Sequence, residues 1–152
     1  MIRVGIGYDA HPYAEGRRLV LGGVEIPHDM GLEGHSDADV LTHAIMDALL
    51  GAAGLGDLGV LFPPEEDEWR GAHSLDLLGV VVGRLHGRTV NVDATVICER
   101  PRIEPHRAEI ERGLAAALSA PVSVKATTNE GLGWIGRGEG IACMAVALLD
   151  LG

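Results

Sequence analysis

The sequence predicts an α/β chain in the α+β sandwich form: a mixed β-sheet with helices packed on one face, in a single domain. Three observations predict it. Stretches of period-two apolar alternation share the chain with stretches of helical period. Their order is strand, hairpin, helix, helix, strand, helix, strand, strand, which is neither strict alternation nor all-β. The 152 residues, 47% of them apolar, suit one full core, with no internal repeat, linker or low-complexity segment.

Ile2, Val4 and Ile6 alternate with Arg3, Gly5 and Gly7, so the first eight residues read as a strand. It is expected to end at Tyr8–His11, with Pro12 stopping regular pairing. Arg18–Gly22 and Val24–Pro27 read as short strands joined at Gly22-Gly23. Leu41, Ile45, Leu49 and Ala52 recur at helical spacing and predict an amphipathic helix over Asp37–Ala53. Ser36, followed three residues later by Asp39, has capping-box spacing and is the expected N-cap. Asp39, His43 and Asp47 then form one polar stripe. The glycines of Gly54–Gly59 serve helix termination or close approach to a ligand. Phe62-Pro63-Pro64 and the acidic run Glu65–Glu68 read as a solvated loop.

Leu75, Leu78, Val82 and Leu85 mark a second helix, ending before Gly87. Val90, Val92, Ala94 and Val96 alternate with polar residues in the clearest strand of the chain. Ile110, Leu114, Ala117 and Leu118 mark a third helix, with Pro105 near its start. Val122, Val124 and Ala126 form a strand that empties into Thr127-Thr128-Asn129-Glu130. A glycine-rich loop and a last strand, Ile141–Leu149, follow.

A net charge of -10 argues against a nucleic-acid surface, which wants a basic face. The longest apolar run, Ile141–Leu149, falls far short of the ~20 residues of a membrane helix. The chain begins on a strand pattern with no signal-like region, so a cytoplasmic protein is expected. Cys98 and Cys143 each lie in an apolar strand-like run, as buried free thiols do, and no C-x-x-C is present.

Three constellations carry chemistry. Asp9 and His11, two apart on an extended segment, point the same way, and His43 from a helix completes a three-ligand set. Imidazole and carboxylate donors suit zinc, and three protein ligands leave a fourth position open. Asp39 and Asp47 are either partners that orient His43 or ordinary solvated helix acids. The second constellation is the loop Thr127–Arg137, where hydroxyls, backbone amides and Arg137 suit phosphate oxygens. Glu130 fits there if it holds Mg²⁺ bridging phosphates; the alternative is a plain polar turn. The third is Glu99–His106, whose arginines either frame a nucleotide or belong to a charged connection. Gly131–Gly136 fits G-x-G-x-x-G, but a strand rather than a βαβ unit follows, so a dinucleotide site is rejected.

Several long segments resemble one family in order along nearly the whole chain. They are Gly7-Tyr8-Asp9-Ala10-His11, Leu21–Pro27, His35-Ser36-Asp37-Ala38-Asp39, His43 with Asp47–Gly51, Gly56-Asp57 before Leu61-Phe62-Pro63, and Lys125–Thr128 through Gly136–Gly140. The family is the 2-C-methyl-D-erythritol 2,4-cyclodiphosphate synthases of the non-mevalonate isoprenoid pathway. The resemblance implies zinc held by Asp9, His11 and His43, and magnesium or manganese held by Glu130 through the substrate's phosphates. It credits His35 and Thr128 with stabilising the transition state, and Ser36 with His35 matches the phosphate and methylerythritol positions. Asp57, Leu58 and Gly59 match the sugar-alcohol pocket, with Phe62 and Glu66 as substrate-binding positions in the adjoining loop. Cys98–Glu104, with Ala126–Thr128, match the cytidine pocket, Pro101, Arg102, Ile103, Glu104, Ala126 and Thr127 being the expected substrate contacts, and Trp134 and Arg137 match a closing loop.

The implied reaction is intramolecular. The 2-phosphate of 4-diphosphocytidyl-2-C-methyl-D-erythritol 2-phosphate attacks the β-phosphorus, and CMP leaves. The implied assembly is a homotrimer with each site between subunits. A cavity at its centre is also implied, which Arg137 could face instead of substrate. The chain departs from the family pattern at Pro64-Glu65-Glu66, where Asp-Thr-Asp is common, at Arg102 for lysine, at Glu104 for an apolar residue and at Asn129 for threonine. Three rival readings stand beside it: a zinc phosphohydrolase with the same metal ligands giving linear products, a metal-dependent nucleotide sensor without turnover, and an oligomeric scaffold in which these residues serve only stability.

Overall fold

The structure is a computed structural model that describes all 152 residues. Strand β1 (Ile2–Glu15) leads into a hairpin, β2 (Leu19–Leu21) and β3 (Val24–Ile26), then β4 (Met30–Leu32) and helix α1 (Val40–Ala53). A short turn of helix α2 (Leu58–Leu61) precedes α3 (Ser74–Arg84) and β5 (Arg88–Ile97). Helix α4 (Arg107–Leu118), β6 (Val122–Thr127), the one-turn α5 (Gly133–Gly136) and β7 (Gly140–Asp150) complete the chain. The main sheet has the order β4-β1-β7-β5-β6. Only β5 and β6 are parallel, joined through α4, so the sheet is mixed as expected.

Helices cover one face. Helix α1 lies across β1, β7 and β5, and α4 packs on β6. The contact between α1 and β1 is unusually close, and glycine permits it. A Cβ on Gly5 would sit 2.0 Å from the Ala48 carbonyl oxygen, and one on Gly7 1.8 Å from that of Ala44. The helix backbone thus rests on the strand backbone, with Ala44, Ala48 and Ala52 fully buried between them. This settles which face of β1 is inside. Ile2, Val4, Ile6 and Tyr8 point outward and are each more than half exposed. With Met144 and Val146 of β7, they form an apolar band on the uncovered face.

The structure corrects three local expectations. First, β1 does not stop at Pro12. Pro12 pairs with Gly140 at the end of the β7 ladder, and Tyr13–Glu15 continue against β4 on the other edge. The proline marks a change of partner, where its missing N–H breaks no ladder bond. Second, Ser36 is not the N-cap of α1. The helix begins at Val40, and the Asp39 carboxylate accepts from Thr42 N at 2.9 Å. The same carboxylate accepts from Gly22 N and Gly23 N at 2.9 and 2.8 Å, fixing the hairpin turn on the helix start. Third, Asp39 is therefore fully buried and absent from any exposed stripe. The short elements β4, α2 and α5 have no sequence expectation behind them.

A side chain at Gly7 would meet backbone, which no rotamer change relieves. Gly7→Ala is expected to lose about 1–3 kcal/mol in urea denaturation. Gly113→Ala in α4, where a Cβ meets nothing within 4 Å, should instead gain about 0.5–1 kcal/mol.

Candidate metal centre and active site

Side chains alternate along β1, so Asp9 and His11 lie on the same face as Gly5 and Gly7, beneath α1. His43 precedes Ala44 in the helix, beside the point of closest approach. The three side chains meet there. His11 Nε2 lies 2.8 Å and His43 Nδ1 3.2 Å from Asp9 Oδ2. One donor atom from each falls within 4.8 Å of the others, a group able to hold a metal ion.

The remaining ring nitrogens are also engaged. His11 Nδ1 donates to the Glu33 carbonyl at 2.8 Å, and His43 Nε2 lies 3.3 Å from Ser36 Oγ. With Nδ1 donating, a neutral His11 turns its Nε2 lone pair toward a carboxylate oxygen. Two acceptors then face each other, and only a proton on Nε2 or a shared cation resolves the contact. The donor set thus fits a metal ion, with the outer ring nitrogens oriented as ligating histidines require. Burial opposes the charge on both groups. For Asp9 the hydrogen bonds and charges of His11 and His43 outweigh it, holding its carboxyl below the ordinary 3.8. For His11 the hydrogen bond and charge of Asp9 outweigh it, raising the imidazole above 6.5.

The cluster opens into a cleft of ≈ 320 Å³. Of the expected site residues, His35, Ser36, Leu58, Gly59, Phe62 and Glu66 line it as well. The backbone of the His35–Ser36 loop is held from outside. Arg17 donates to the Gly34 and Ser36 carbonyls, both at 2.7 Å, and Gly71 N donates to the His35 carbonyl at 2.9 Å. Arg17 was not foreseen, since nothing in the sequence signals a loop clamp so far along the chain. Asp47 lines the cleft and accepts from Leu58 N at 2.9 Å. Burial pushes its carboxyl up, with the nearby charges of Asp57 and Asp9 adding to the effect. Neither the Asp39 nor the Asp47 carboxylate hydrogen-bonds the His43 ring, and neither is a freely solvated helix acid. The loop after Phe62 is a wall of the cleft: Trp69 donates to Glu66 at 3.0 Å and meets Phe62 edge-on at 4.7 Å. Asp57 uses its carboxylate to cap α2 at Val60 N.

The other expected residues lie elsewhere. Pro101, Arg102, Ile103, Glu104, Ala126, Thr127, Thr128, Glu130, Trp134 and Arg137 line no part of this cleft. Most gather beyond the ends of parallel strands β5 and β6, where Cys98 N donates to the Thr127 carbonyl at 3.0 Å. Ile103 is buried in the core, and its carbonyl accepts from His106 N at 2.9 Å. Arg137 pairs with Glu139, and Arg107 approaches Glu104 at 3.7 Å. Gly131–Gly136 forms a turn and α5 before a strand, consistent with rejecting a dinucleotide loop. Both cysteines are buried and free, and burial pushes the Cys98 thiol up to about 11.

A mixed sheet under one layer of helices, with a three-donor cluster open to a cleft, defines an α+β protein with a candidate metal centre. The comparisons identify the family. The chain belongs to the YgbB family, whose model matches residues 2–150. It is 57% identical to the 2-C-methyl-D-erythritol 2,4-cyclodiphosphate synthase of Gloeobacter violaceus, over 98% of this chain and 95% of the relative. Among solved structures, a 2C-methyl-D-erythritol-2,4-cyclodiphosphate synthase in a CDP-bound form superposes with a TM-score of 0.88 at 36% identity, covering 97% of this chain and all of that one. The bifunctional IspDF of Campylobacter jejuni gives 0.93 at 40% identity, with 98% of this chain matching 42% of that longer chain.

His11 should reveal the cluster without any metal. In metal-free protein its imidazole is expected to titrate above pH 6.5 by NMR, and Asp9→Asn should bring that value down. The sign for stability follows. Because the folded value is raised, the contribution of protonated His11 is complete below pH 6.5, as long as Asp9 stays ionised, and is lost as pH rises through the raised value.

Proposed function

We propose that this chain converts 4-diphosphocytidyl-2-C-methyl-D-erythritol 2-phosphate to 2-C-methyl-D-erythritol 2,4-cyclodiphosphate, releasing CMP, in non-mevalonate isoprenoid precursor biosynthesis. The single observation that carries this reading is the Asp9–His11–His43 cluster, open to a cleft, in a chain of this family. Residues 1–152 form one such domain, placed in the cytoplasm as the sequence suggests. No helix is long and apolar enough to cross a membrane.

Asp9, His11 and His43 would hold zinc, and the exposed carboxylate of Glu130, which has no protein partner, would hold magnesium or manganese through phosphates. When bound, zinc with an open fourth position would supply a Lewis acid to a phosphate oxygen, and the second cation would neutralise charge developing on the departing CMP phosphate. The chain's own residues do the rest. Arg70 is the only lysine or arginine lining the cleft, which otherwise carries Asp9, Asp47 and Glu66. Side chains alone therefore cannot balance a polyanion there, which favours bound cations. His35 and Ser36, their backbone clamped by Arg17 and Gly71, present an imidazole and a hydroxyl to phosphate oxygens. Thr128 supplies a second hydroxyl where charge develops. The nucleophile is an ionised phosphate, so catalysis needs positioning more than a general base. No Ser/His/Asp arrangement is required.

Leu58, Gly59 and the Phe62–Glu66 wall hold the sugar alcohol, with Asp57 beside them. Pro101–Glu104, Ala126 and Thr127 hold the cytidine, and Trp134 and Arg137 close over it. That second group is separate from the cleft within one chain, so a neighbouring copy must complete the site. The apolar band of Ile2, Val4, Ile6, Tyr8, Met144 and Val146 supports association of copies, here a homotrimer.

The test is ³¹P NMR of the zinc-loaded protein with substrate and Mg²⁺. The expected products are one CMP per cyclic diphosphate, with turnover abolished in His43→Ala and in Glu130→Ala. Mixing those two inactive variants after unfolding and refolding should recover activity that neither has alone, because mixed assemblies contain intact sites. Linear phosphates would point to a phosphohydrolase. No turnover at all would leave a nucleotide sensor.

A further inference from the structure

The turn that carries Glu130 is held by a carboxylate from the neighbouring loop. Glu99 Oε2 accepts from Asn129 N at 3.0 Å, and Glu99 Oε1 accepts from Gly131 N at 2.7 Å. One side chain therefore grips the peptide N–H on each side of Glu130. Glu130 itself adopts φ +53°, a left-handed conformation that costs a residue with a Cβ. Around it, Glu130 N donates to Thr128 Oγ1 at 3.3 Å, and Leu132 N and the Asn129 side chain close the turn. The Glu130 carboxylate makes no bond to protein, so what the protein fixes is the backbone from which the side chain departs. That backbone stays in a disfavoured conformation because Glu99 satisfies both flanking donors. Glu99 also stands at the head of Glu99–Glu104, just past the point where β5 leaves β6.

We infer that Glu99 is a positioning residue: its carboxylate aims Glu130 at the divalent cation and joins that turn to the loop proposed to hold the pyrimidine. This rests on the reading of Glu130 given above. Both Glu99 oxygens are turned to N–H groups of the Glu130 turn, so the residue acts on the cation through that turn. Glutamine offers a single acceptor oxygen, so Glu99→Gln keeps one bond of the two.

The test is Mn²⁺ binding to zinc-loaded protein with CDP present, followed by the EPR signal of free Mn²⁺. Glu99→Ala should weaken Mn²⁺ about 10-fold or more, the size expected when the partner of a ligating carboxylate is removed. Glu99→Gln should fall between it and the parent protein. Zinc content, and CDP binding without Mn²⁺, should not move. Raising Mn²⁺ should restore the rate of Glu99→Ala but not that of Glu130→Ala. Mn²⁺ affinity unchanged in Glu99→Ala, while Glu130→Ala loses it, would overturn the positioning role alone. Mn²⁺ affinity unchanged in both would overturn the reading of Glu130 and the inference with it. A loss of metal-free CDP binding in Glu99→Gln, with Mn²⁺ affinity intact, would make Glu99 a nucleotide contact and also overturn it.

Discussion

Everything at the Asp9–His11–His43 donor cluster depends on how closely α1 lies on β1. At Gly5 and Gly7 the helix carbonyls occupy the space where side chains would stand. That brings His43 within reach of Asp9 and His11, which follow the two glycines on the same face of the strand. A larger residue at either glycine would lift the helix and pull the third donor away from the first two. The fully buried Asp39 does the matching work at the helix start. Its carboxylate gathers Thr42 and the hairpin turn at Gly22-Gly23, so the N-terminus of α1 cannot shift along the strand. Packing and capping here act as site geometry.

The same close packing explains the two faces of the sheet. With glycine and alanine inside, the large side chains of β1 are turned out, and the uncovered face is apolar. A single chain thus leaves an apolar surface uncovered, and the proposed trimer would both cover it and complete the proposed site. Electrostatics points the same way. A chain of net charge -10, with carboxylates in its cleft, meets a polyanionic substrate only through bound cations. Donors for one cation are assembled within the chain, and Glu130 waits on a turn that Glu99 holds in place.

Much of this was legible in residue order. The two-residue spacing of Asp9 and His11 places both on one strand face, and the helical period after Val40 sets α1. Family resemblance named the partners that spacing alone left open. The illegible parts share a physical cause: long-range hydrogen bonds override local patterns. Ser36 and Asp39 have capping-box spacing, yet Ser36 faces His43 and Asp39 caps the helix itself. Asp37 is drawn off to Ser74, 37 positions away in sequence. Pro12 reads as a strand end because its second partner, β4, is too short to announce itself. The clamps by Arg17 and Glu99 carry no local pattern, because their acceptors and donors are backbone groups brought near only by the fold.

Close α1–β1 packing brings Asp9, His11 and His43 together as one three-donor group, which is proposed to hold zinc. Anomalous diffraction at the zinc edge, from crystals grown with zinc, tests it most directly. The expected result is a single strong peak in each chain, about 2.0–2.2 Å from a carboxylate oxygen of Asp9, Nε2 of His11 and Nδ1 of His43, with a non-protein fourth ligand facing the cleft. A peak held by other side chains, or none at these three in zinc-saturated crystals, would contradict it.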